Sequence, residues 1–368
     1  MGEPHRIGVV GVGTISRAYL DTFARVEGAA VTAFADLDLA RAEAAAAGVP
    51  GSRAMAVPDL IASDDVDVVL NLTIPAAHAE IALAAIAAGK GVYGEKPLAL
   101  SMAEGHEISD AAAARGVPFG SAPDTVLGTG TQTARRLLDD GAIGRPVSAN
   151  AVMITPGHER WHPAPDFYYR AGGGPLLDMG PYYVASLVQL LGPVRAVFGA
   201  GSRTRDERVI AGGDRAGERI PVDVLTHVTG ILEHAGGAIS TLTTSFDGTR
   251  TTAAPIEVHG EEGSLAVPDP NTFGGAVRVV RPGDDGWHEA EPSAGYVDAS
   301  RGVGILDLVT ATPDRVARAS GDLAMHHLDV MTALLASAES GRRIELATSP
   351  ALPPAVPLTP EADWRRLR

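Results

Sequence analysis

The sequence Gly11-Val12-Gly13-Thr14-Ile15-Ser16 directly follows an apolar run, Arg6 to Val10, and opens a segment with helical periodicity. A buried strand, a glycine-rich turn and a helix are the three parts of a dinucleotide-binding unit. The first glycine permits the tight turn, and the second lets the backbone approach a pyrophosphate at the helix N-terminus. Glycine-rich turns also occur without ligands, so the flanking strand and helix are what favour this interpretation. The predicted cofactor contacts in the turn are Gly11, Gly13, Thr14 and Ile15.

A second strand, Ala30 to Ala35, ends at Asp36, about twenty residues after the glycine turn, as a dinucleotide site requires. A carboxylate there can accept hydrogen bonds from both ribose hydroxyls of NAD and repel the extra phosphate of NADP. Arg41 lies one turn further on and could still bind that phosphate. Asp36 could also cap the helix from Leu39 to Ala47. We predict NAD as the cofactor, with NADP as the alternative.

Strands and helices alternate from residue 6 to residue 120, which predicts an α/β Rossmann-type domain with a doubly wound parallel sheet. The strand Val66 to Asn71 is followed by Thr73, Pro75 and His78. Ligands of such sheets bind at the carboxyl ends of the strands, so these three residues are predicted to contact the cofactor. A role for His78 as a surface or capping histidine is at least as well supported.

A further strand, Gly91 to Tyr93, runs through Gly94 into Glu95-Lys96-Pro97. The proline restricts Lys96 to an extended backbone and ends the strand. A lysine at a strand end is usually a solvated charge, but an amine held rigidly at this edge could reach a bound substrate. We predict that Lys96 is catalytic and that Glu95 and Lys96 lie against the cofactor.

Beyond residue 123 the pattern changes to period-two strands separated by glycine turns, which predicts an α+β domain with a large open, mostly antiparallel sheet. We therefore divide the chain into a dinucleotide-binding domain, residues 1–123, and a substrate-binding and oligomerisation domain, residues 124–368. The proline-containing tail, residues 345–368, is expected to wrap over the surface. Residues 202–221 are expected to form a loop or flap. One apolar sheet face predicts a homodimer or homotetramer.

Polar groups alternate with aromatic rings in residues 157–169. A sugar-like ligand has apolar faces and hydroxyl edges, and such a loop suits both, although a loop packed by its own aromatics has nearly equal support. The candidates for substrate binding are Arg160, Trp161, His162 and, at the domain boundary, Asp124. A metal site is not expected, because His158 and His162 share one loop without an evident third ligand.

The run Gly172-Gly173-Gly174 leads into a helix that is predicted to end at Leu191, before Gly192. Asp178 and Tyr182 are four residues apart and are therefore predicted to share one helix face. An aspartate at this place could also serve only the helix dipole.

These four motifs, in this order, resemble those of the glucose–fructose oxidoreductase and inositol dehydrogenase (Gfo/Idh/MocA) family, over essentially the whole chain. The Glu-Lys-Pro motif is specific, whereas the glycine turn alone is weak. The resemblance implies an NAD(P)-dependent oxidoreductase of sugars, cyclitols and related alcohols. It also implies that Lys96 and Asp178 are the family's lysine and aspartate, while Tyr182 stands where the family has histidine. The matching residues are Gly11, Gly13, Ser16, Asp36, Glu95 to Pro97, Gly172 to Gly174, Asp178, Gly180 and Tyr182.

Oxidation of a carbinol carbon releases a hydride and a hydroxyl proton, so a base has to lie within hydrogen-bond reach. We expect Lys96, Asp178 and Tyr182 to converge on the reacting carbon. One hypothesis gives the proton exchange to Tyr182, since a neighbouring ammonium favours phenolate, with Lys96 polarising the same oxygen. The competing hypothesis makes Lys96 the base and Tyr182 only a donor.

The 368 residues favour two domains, and the net charge of −15, without a basic run, disfavours nucleic acids and anionic membranes as partners. The chain has no cysteine and no apolar run of membrane length, and we expect a cytoplasmic protein. Two further functions stay open: a lyase or hydrolase that retains NAD and oxidises a glycoside transiently, and a catalytically silent ligand-sensing regulator.

Overall fold

The computed structural model describes residues 3–312 and 315–367. They form two compact units. The first comprises Met1–Thr129, Ala294–Leu328 and Pro353–Arg368, and the second comprises Gly130–Ser293 and Asp329–Leu352. This division departs from the predicted linear one, because two segments of the carboxyl-terminal part belong to the first unit.

The amino-terminal part alternates strands and helices as predicted. Its elements are β1 (His5–Val10), α1 (Ser16–Phe23), β2 (Ala29–Ala35), α2 (Leu39–Ala47), β3 (Arg53–Ala54), α3 (Val57–Ala62), β4 (Val68–Asn71), α4 (His78–Ala87), β5 (Gly91–Gly94), α5 (Met102–Arg115) and β6 (Phe119–Ser121). The six strands form one parallel sheet in the order β3-β2-β1-β4-β5-β6. This confirms the Rossmann-type prediction.

The central strands of this sheet end side by side. Val10 pairs with Ala35 on one side and with Asn71 on the other, and Asn71 pairs with Gly94. The residues that follow these positions, namely the glycine turn, Asp36, the 72–78 segment and Glu95-Lys96, therefore leave the sheet at one edge. The strands themselves are apolar and buried on both faces, as parallel strands between helices are.

The second unit is built on a large sheet. The elements from residue 129 onward are α6 (Thr129–Asp139), β7 (Pro146–Ile154), α7 (Pro175–Asp178), α8 (Gly180–Leu191), β8 (Val194–Ser202), β9 (Glu207–Val209), β10 (Arg219–Pro221), β11 (His227–His234), β12 (Ile239–Ser245), β13 (Ile256–Gly260), β14 (Gly263–Val267), β15 (Val277–Val280), β16 (His288–Ala290), α9 (Val303–Val309), α10 (Gly321–Ser340), β17 (Ile344–Glu345) and α11 (Glu361–Trp364). Nine strands pair in the order β16-β15-β14-β13-β7-β12-β11-β8-β17. Only the β7–β12 pair is parallel among the described pairs, which confirms a mostly antiparallel sheet.

The two faces of this sheet differ in burial. Along β7, β11 and β12 every second residue is buried, and α8 packs against β7 and β12. The opposite face carries exposed apolar side chains, among them Phe198 and Ile231, which are directly opposite each other in neighbouring strands. The polar segment 202–221, predicted as a loop or flap, contains the two-stranded β9–β10 hairpin.

The carboxyl-terminal tail is tied into the first unit. Bridges join Ala294 to Pro357 and Tyr296 to Thr359, and the buried Trp364 donates its Nε1–H to the Val297 carbonyl at 2.8 Å. These contacts hold the part of the tail from residue 353 in the first unit, whereas residues 345–352 belong to the second. Within residues 3–312 and 315–367, no helix combines the length and apolar character needed to cross a membrane.

Candidate active site

The glycine turn after β1 has the backbone that the motif requires. Gly11 has φ +93°, and a Cβ there would lie 2.8 Å from the Leu72 carbonyl atoms, so only glycine fits. At Gly13 a Cβ would meet no described atom within 4 Å. Gly13 and Thr14 are exposed at the surface and Ile15 is half-buried. The turn therefore leaves open space over the backbone that precedes α1, where a pyrophosphate would lie.

Asp36 fixes this turn from the neighbouring strand. Its Oδ2 accepts the Val12 N–H at 2.7 Å, and its Oδ1 accepts the Asp38 N–H at 2.9 Å. The capping role considered for Asp36 belongs to Asp38, whose Oδ1 accepts the Ala40 N–H. Arg41 pairs with Asp38 at 3.5 Å. The carboxylate that would meet the ribose is therefore held beside the open turn, which fits NAD.

The segment after β4 is organised by Asn71. Its Oδ1 accepts both the N–H and the hydroxyl of Thr73, and its Nδ2 donates to the carbonyl of His78. Pro75 opens the short 3₁₀ helix that leads into α4. Thr73 and Pro75 are half-buried at the sheet edge, where the sequence predicted cofactor contacts.

The ring of His78, predicted to contact the cofactor, faces the interior of the first unit. The ring is buried, with Nδ1 2.7 Å from the Pro97 carbonyl and Nε2 3.1 Å from the Thr73 carbonyl. Burial lowers the pKa of His78, and the two carbonyl acceptors oppose that shift only partly. His78 therefore ties the segment after β4 to the one after β5.

The carboxylate of Glu95, which was predicted to lie against the cofactor, also faces inward. Glu95 is buried; Oε1 accepts the Tyr19 hydroxyl at 2.8 Å and Oε2 accepts the Lys96 N–H at 3.1 Å. Burial, with a contribution from the Glu95 charge, raises the pKa of Tyr19 far above its ordinary value, so the phenol stays a donor. Lys96 itself is half-buried at the sheet edge.

Asp124, predicted as a substrate-binding residue, is enclosed within the first unit. Its exposure is 0%, and its Oδ2 accepts the N–H groups of Gly302 and Gly304 at 2.7 and 3.1 Å. Burial raises the pKa of Asp124 to about 6. Its role is to hold the start of α9 inside the first unit. The sequence could not reveal this, because both partners are about 180 residues away.

In the second unit, Asp178 lies at the end of α7 and Tyr182 is buried in α8. The predicted single helix is interrupted at Met179, because Pro181 has no N–H to continue the ladder. The glycine run before α7 packs tightly: a Cβ at Gly173 would lie 2.5 Å from the Phe167 carbonyl oxygen. This contact joins the aromatic loop to the helix that carries Asp178.

The histidine beside Asp178 comes from that loop. His158 Nε2 lies 2.7 Å from Asp178 Oδ2, and the indole Nε1–H of Trp161 donates to His158 Nδ1 at 3.2 Å. The His158 ring is buried against Tyr168 and Phe246, with ring centroids 4.4 and 4.5 Å away. From the sequence, His158 was a candidate only for metal binding, since nothing in a 20-residue spacing points to Asp178.

The three predicted substrate residues differ in setting. Arg160 and Trp161 are exposed, the latter by 64%. His162 is half-buried and contacts the rings of Trp161, Phe167 and Tyr168, and burial lowers its pKa. The loop is thus packed partly by its own aromatics, and it still presents a ring and a guanidinium to solvent.

A buried ion cluster anchors this loop. Arg208, on β9, pairs with Glu159 at 3.0 Å and with Asp247, and Tyr169 donates its hydroxyl to Glu159. These four side chains define the Arg208 cluster. A second, more exposed pair joins Arg215 of the hairpin to Asp166 at 2.6 Å. Residues 202–221, predicted as a loop or flap, therefore hold the aromatic loop, residues 157–169, in place through ion pairs.

Comparisons with known proteins agree with this geometry. The model of the oxidoreductase family with an NAD-binding Rossmann fold matches residues 5–122, and the model of the GFO/IDH/MocA C-terminal domain matches residues 131–266. Inositol 2-dehydrogenase 3 of Saccharopolyspora erythraea is 32% identical over 295 residues, 75% of this chain and 78% of the relative. The 1,5-anhydro-D-fructose reductase of Ensifer adhaerens is 30% identical over 269 residues, 71% of this chain and 75% of the relative.

Solved structures share the fold. An NAD-binding oxidoreductase from Klebsiella pneumoniae superposes with a TM-score of 0.80 over 95% of this chain and 100% of its own, at 24% identity. A levoglucosan dehydrogenase in complex with NADH and L-sorbose superposes with a TM-score of 0.77 over 94% of this chain and 100% of its own, at 21% identity. The two family models together match well over half of the sequence, with the site residues Asp36, Lys96, Asp178 and Tyr182 inside them. The chain belongs to the Gfo/Idh/MocA family of NAD-binding oxidoreductases.

Proposed function

We propose that the protein interconverts a secondary hydroxyl and a ketone on a sugar, sugar derivative or cyclitol, with NAD as the hydride carrier. The observation that carries this proposal is the setting of Asp178: a carboxylate in a hydrogen-bonded pair, beside a loop that alternates aromatic rings with polar groups. Rings suit the apolar faces of a polyol and a fixed carboxylate suits its hydroxyls. Relatives named as inositol and levoglucosan dehydrogenases support the same substrate class.

The cofactor contacts are assigned to the sheet edge of the first unit. Gly11, Gly13, Thr14 and Ile15 would hold the pyrophosphate, and Asp36 would accept the ribose hydroxyls. Thr73 and Pro75 would line the same crevice. Bound NAD supplies the hydride acceptor. The Asp36 carboxylate supports NAD over NADP, because it would repel a ribose phosphate at this place.

The catalytic roles are assigned to Lys96, Asp178 and Tyr182. Asp178 orients the reacting hydroxyl, Lys96 polarises its oxygen, and Tyr182 exchanges its proton. Arg160, Trp161 and His162 bind the remainder of the substrate. Family membership supports the first two assignments. Tyr182 stands in place of the family's histidine, and its role therefore has to be separated from that of Lys96 by experiment.

A panel of sugars and cyclitols, followed through the absorbance of reduced nicotinamide, tests the proposed reaction. We expect NAD-dependent oxidation of at least one polyol. A glycoside cleaved without net formation of NADH would establish the NAD-retaining lyase or hydrolase instead, and ligand binding without any conversion would establish a regulator. Lys96→Ala and Tyr182→Phe then identify the base. If Tyr182→Phe keeps most of its kcat while Lys96→Ala loses it, the base is Lys96.

We further propose that the open face of the nine-stranded sheet joins copies of the chain into a homodimer or homotetramer. Phe198, Ile231 and Ile239 are exposed apolar side chains on this face, which supports a contact surface. Ile231→Lys should reduce the assembly size in analytical ultracentrifugation. Val209→Lys, an equally exposed valine on the β9–β10 hairpin, is the control and should leave the size unchanged. A cytoplasmic location, where NAD is regenerated, is proposed with the same function and is tested by cell fractionation.

A further inference from the structure

The hydrogen bonds around His158 define its tautomer. The indole nitrogen of Trp161 is a donor only, so His158 Nδ1 has to be the acceptor of the 3.2 Å bond. In the neutral imidazole the proton then lies on Nε2, which is 2.7 Å from Asp178 Oδ2. The Nε2–H therefore donates to the carboxylate, and a hydrogen bond to a charged acceptor fixes the direction of that acceptor.

The His158 ring has little freedom to leave this position. It is buried between the rings of Tyr168 and Phe246. The next residue, Glu159, belongs to the Arg208 cluster, and its bonds to Arg208 and Tyr169 restrain the backbone next to His158. A side chain held by packing and by ion pairs on its neighbour imposes its own direction on the group to which it donates.

The imidazole beside Asp178 does not come from the Asp178-to-Tyr182 motif. The segment Asp178-Met179-Gly180-Pro181-Tyr182 has a tyrosine at its last position, whereas the family has histidine there. The imidazole next to Asp178 instead comes from a loop 20 residues upstream. The aspartate thus keeps an imidazole partner that the motif itself does not encode.

We propose that His158 is the positioning residue of Asp178. Its Nε2–H keeps the carboxylate oriented toward the substrate hydroxyl, and Trp161 holds the imidazole in the tautomer that can do so. This inference rests on the proposed dehydrogenase function. It adds to that function a residue which acts through Asp178 and does not itself have to touch the substrate.

Three variants test the proposal. His158→Leu removes the donor and keeps most of the bulk, and His158→Gln keeps an N–H near the position of Nε2. His288→Leu, an exposed histidine on β16, is the matched control. We expect His158→Leu to lower kcat by roughly 10- to 100-fold, the range for a hydrogen bond to a charged group, with the Kd for NAD unchanged. His158→Gln should recover most of that loss, and His288→Leu should resemble the unsubstituted protein.

Crystal structures of the two His158 variants add a measurement that does not depend on activity. The Asp178 side chain should change its rotamer in His158→Leu and keep it in His158→Gln. Equal kcat losses for Leu and Gln, or an unchanged Asp178 rotamer in His158→Leu, would overturn the positioning role. If no polyol is converted by the unsubstituted protein, the proposed reaction fails, and the two rotamers still decide whether His158 orients Asp178.

Discussion

Tyr19, on the helix that follows the glycine turn, donates its hydroxyl to Glu95, the residue before the candidate catalytic lysine, at 2.8 Å. The two side chains are buried. Tyr19 lies on α1, which follows β1, and Glu95 directly follows β5; β1 and β5 are not neighbours in the sheet. The bond therefore links the two motifs that the sequence analysis treated separately. A shift of the glycine turn would be transmitted to Glu95, whose Oε2 accepts the N–H of Lys96.

Removal of the Tyr19 hydroxyl should lower both the stability and the activity of the protein. In Tyr19→Phe the buried Glu95 carboxylate loses a donor, and we expect a loss of about 1–3 kcal/mol in the free energy of unfolding, together with a lower kcat. The matched control is Tyr93→Phe, because the buried Tyr93 hydroxyl has no hydrogen-bond partner among the described residues. That variant should be neutral or slightly stabilising. Urea denaturation and steady-state kinetics compare the two, and equal effects would rule out a specific role for the Tyr19–Glu95 bond.

Asp36 is expected to determine the choice of cofactor. The double variant Asp36→Ser, Leu37→Arg replaces a fixed carboxylate by a cation on a fully exposed position. The ratio of kcat/KM for NADP to that for NAD should rise by roughly 100-fold or more, since a repulsive charge pair becomes an attractive one. Asp59→Asn, at an exposed carboxylate in the first turn of α3, should leave the ratio unchanged. If the double variant still prefers NAD, Asp36 does not determine the choice of cofactor.

Asp124 should make stability depend on pH. Its pKa is raised to about 6 by burial, from an ordinary value of 3.8, so the folded protein holds this proton where the unfolded chain releases it. Its contribution to stability is therefore complete below about pH 4 and falls as pH rises through 6, by about 3 kcal/mol in total.

Asp124→Asn isolates that contribution, because an amide oxygen can still accept from Gly302 and Gly304 and does not titrate. Denaturation of both proteins at several pH values gives the difference in their free energies of unfolding. The unsubstituted protein should lose about 3 kcal/mol relative to the variant between about pH 4 and pH 7. If the difference in free energy of unfolding did not change with pH, the raised pKa of Asp124 would be contradicted.

The Arg208 cluster should be a large source of stability for the second unit. Arg208→Met leaves the carboxylates of Glu159 and Asp247 without their guanidinium, and breaking a buried ion pair in this way costs about 3–5 kcal/mol. Arg219→Met breaks an exposed pair with Glu207 and should cost less than about 1 kcal/mol. Thermal unfolding of both variants measures the contrast. Activity should fall only in the first, since His158 is the neighbour of Glu159.

Much of the fold could be predicted from the sequence because its signals are local. Continuous apolar runs identified the parallel strands, and the glycine turn and Asp36 lie within about 25 residues of each other, so their relation is visible in the spacing. Period-two alternation likewise identified most strands of the large sheet. In each case the residues that decide the structure are close together in the chain.

The remaining features depend on contacts between distant residues. Asp124 is a polar residue at a domain boundary, and only its bonds to Gly302 and Gly304 reveal an internal role. Arg208 lies in a segment whose glycines and charges are typical of a loop, yet it is buried because two carboxylates and Tyr169 surround it. His158 carried no signal for Asp178, since a pairing across 20 residues has no fixed spacing.

The last short helix, α11, has a consequence for synthesis on the ribosome. The Rossmann sheet is made of the first residues to emerge, but Trp364 and the strap from residue 353 complete the same unit. Residues 353–367 therefore have to be synthesised before this unit can close, and the second unit has all its strands but β17 available earlier. A chain truncated before residue 353 would carry the whole coenzyme motif in an incomplete unit, accessible to proteases.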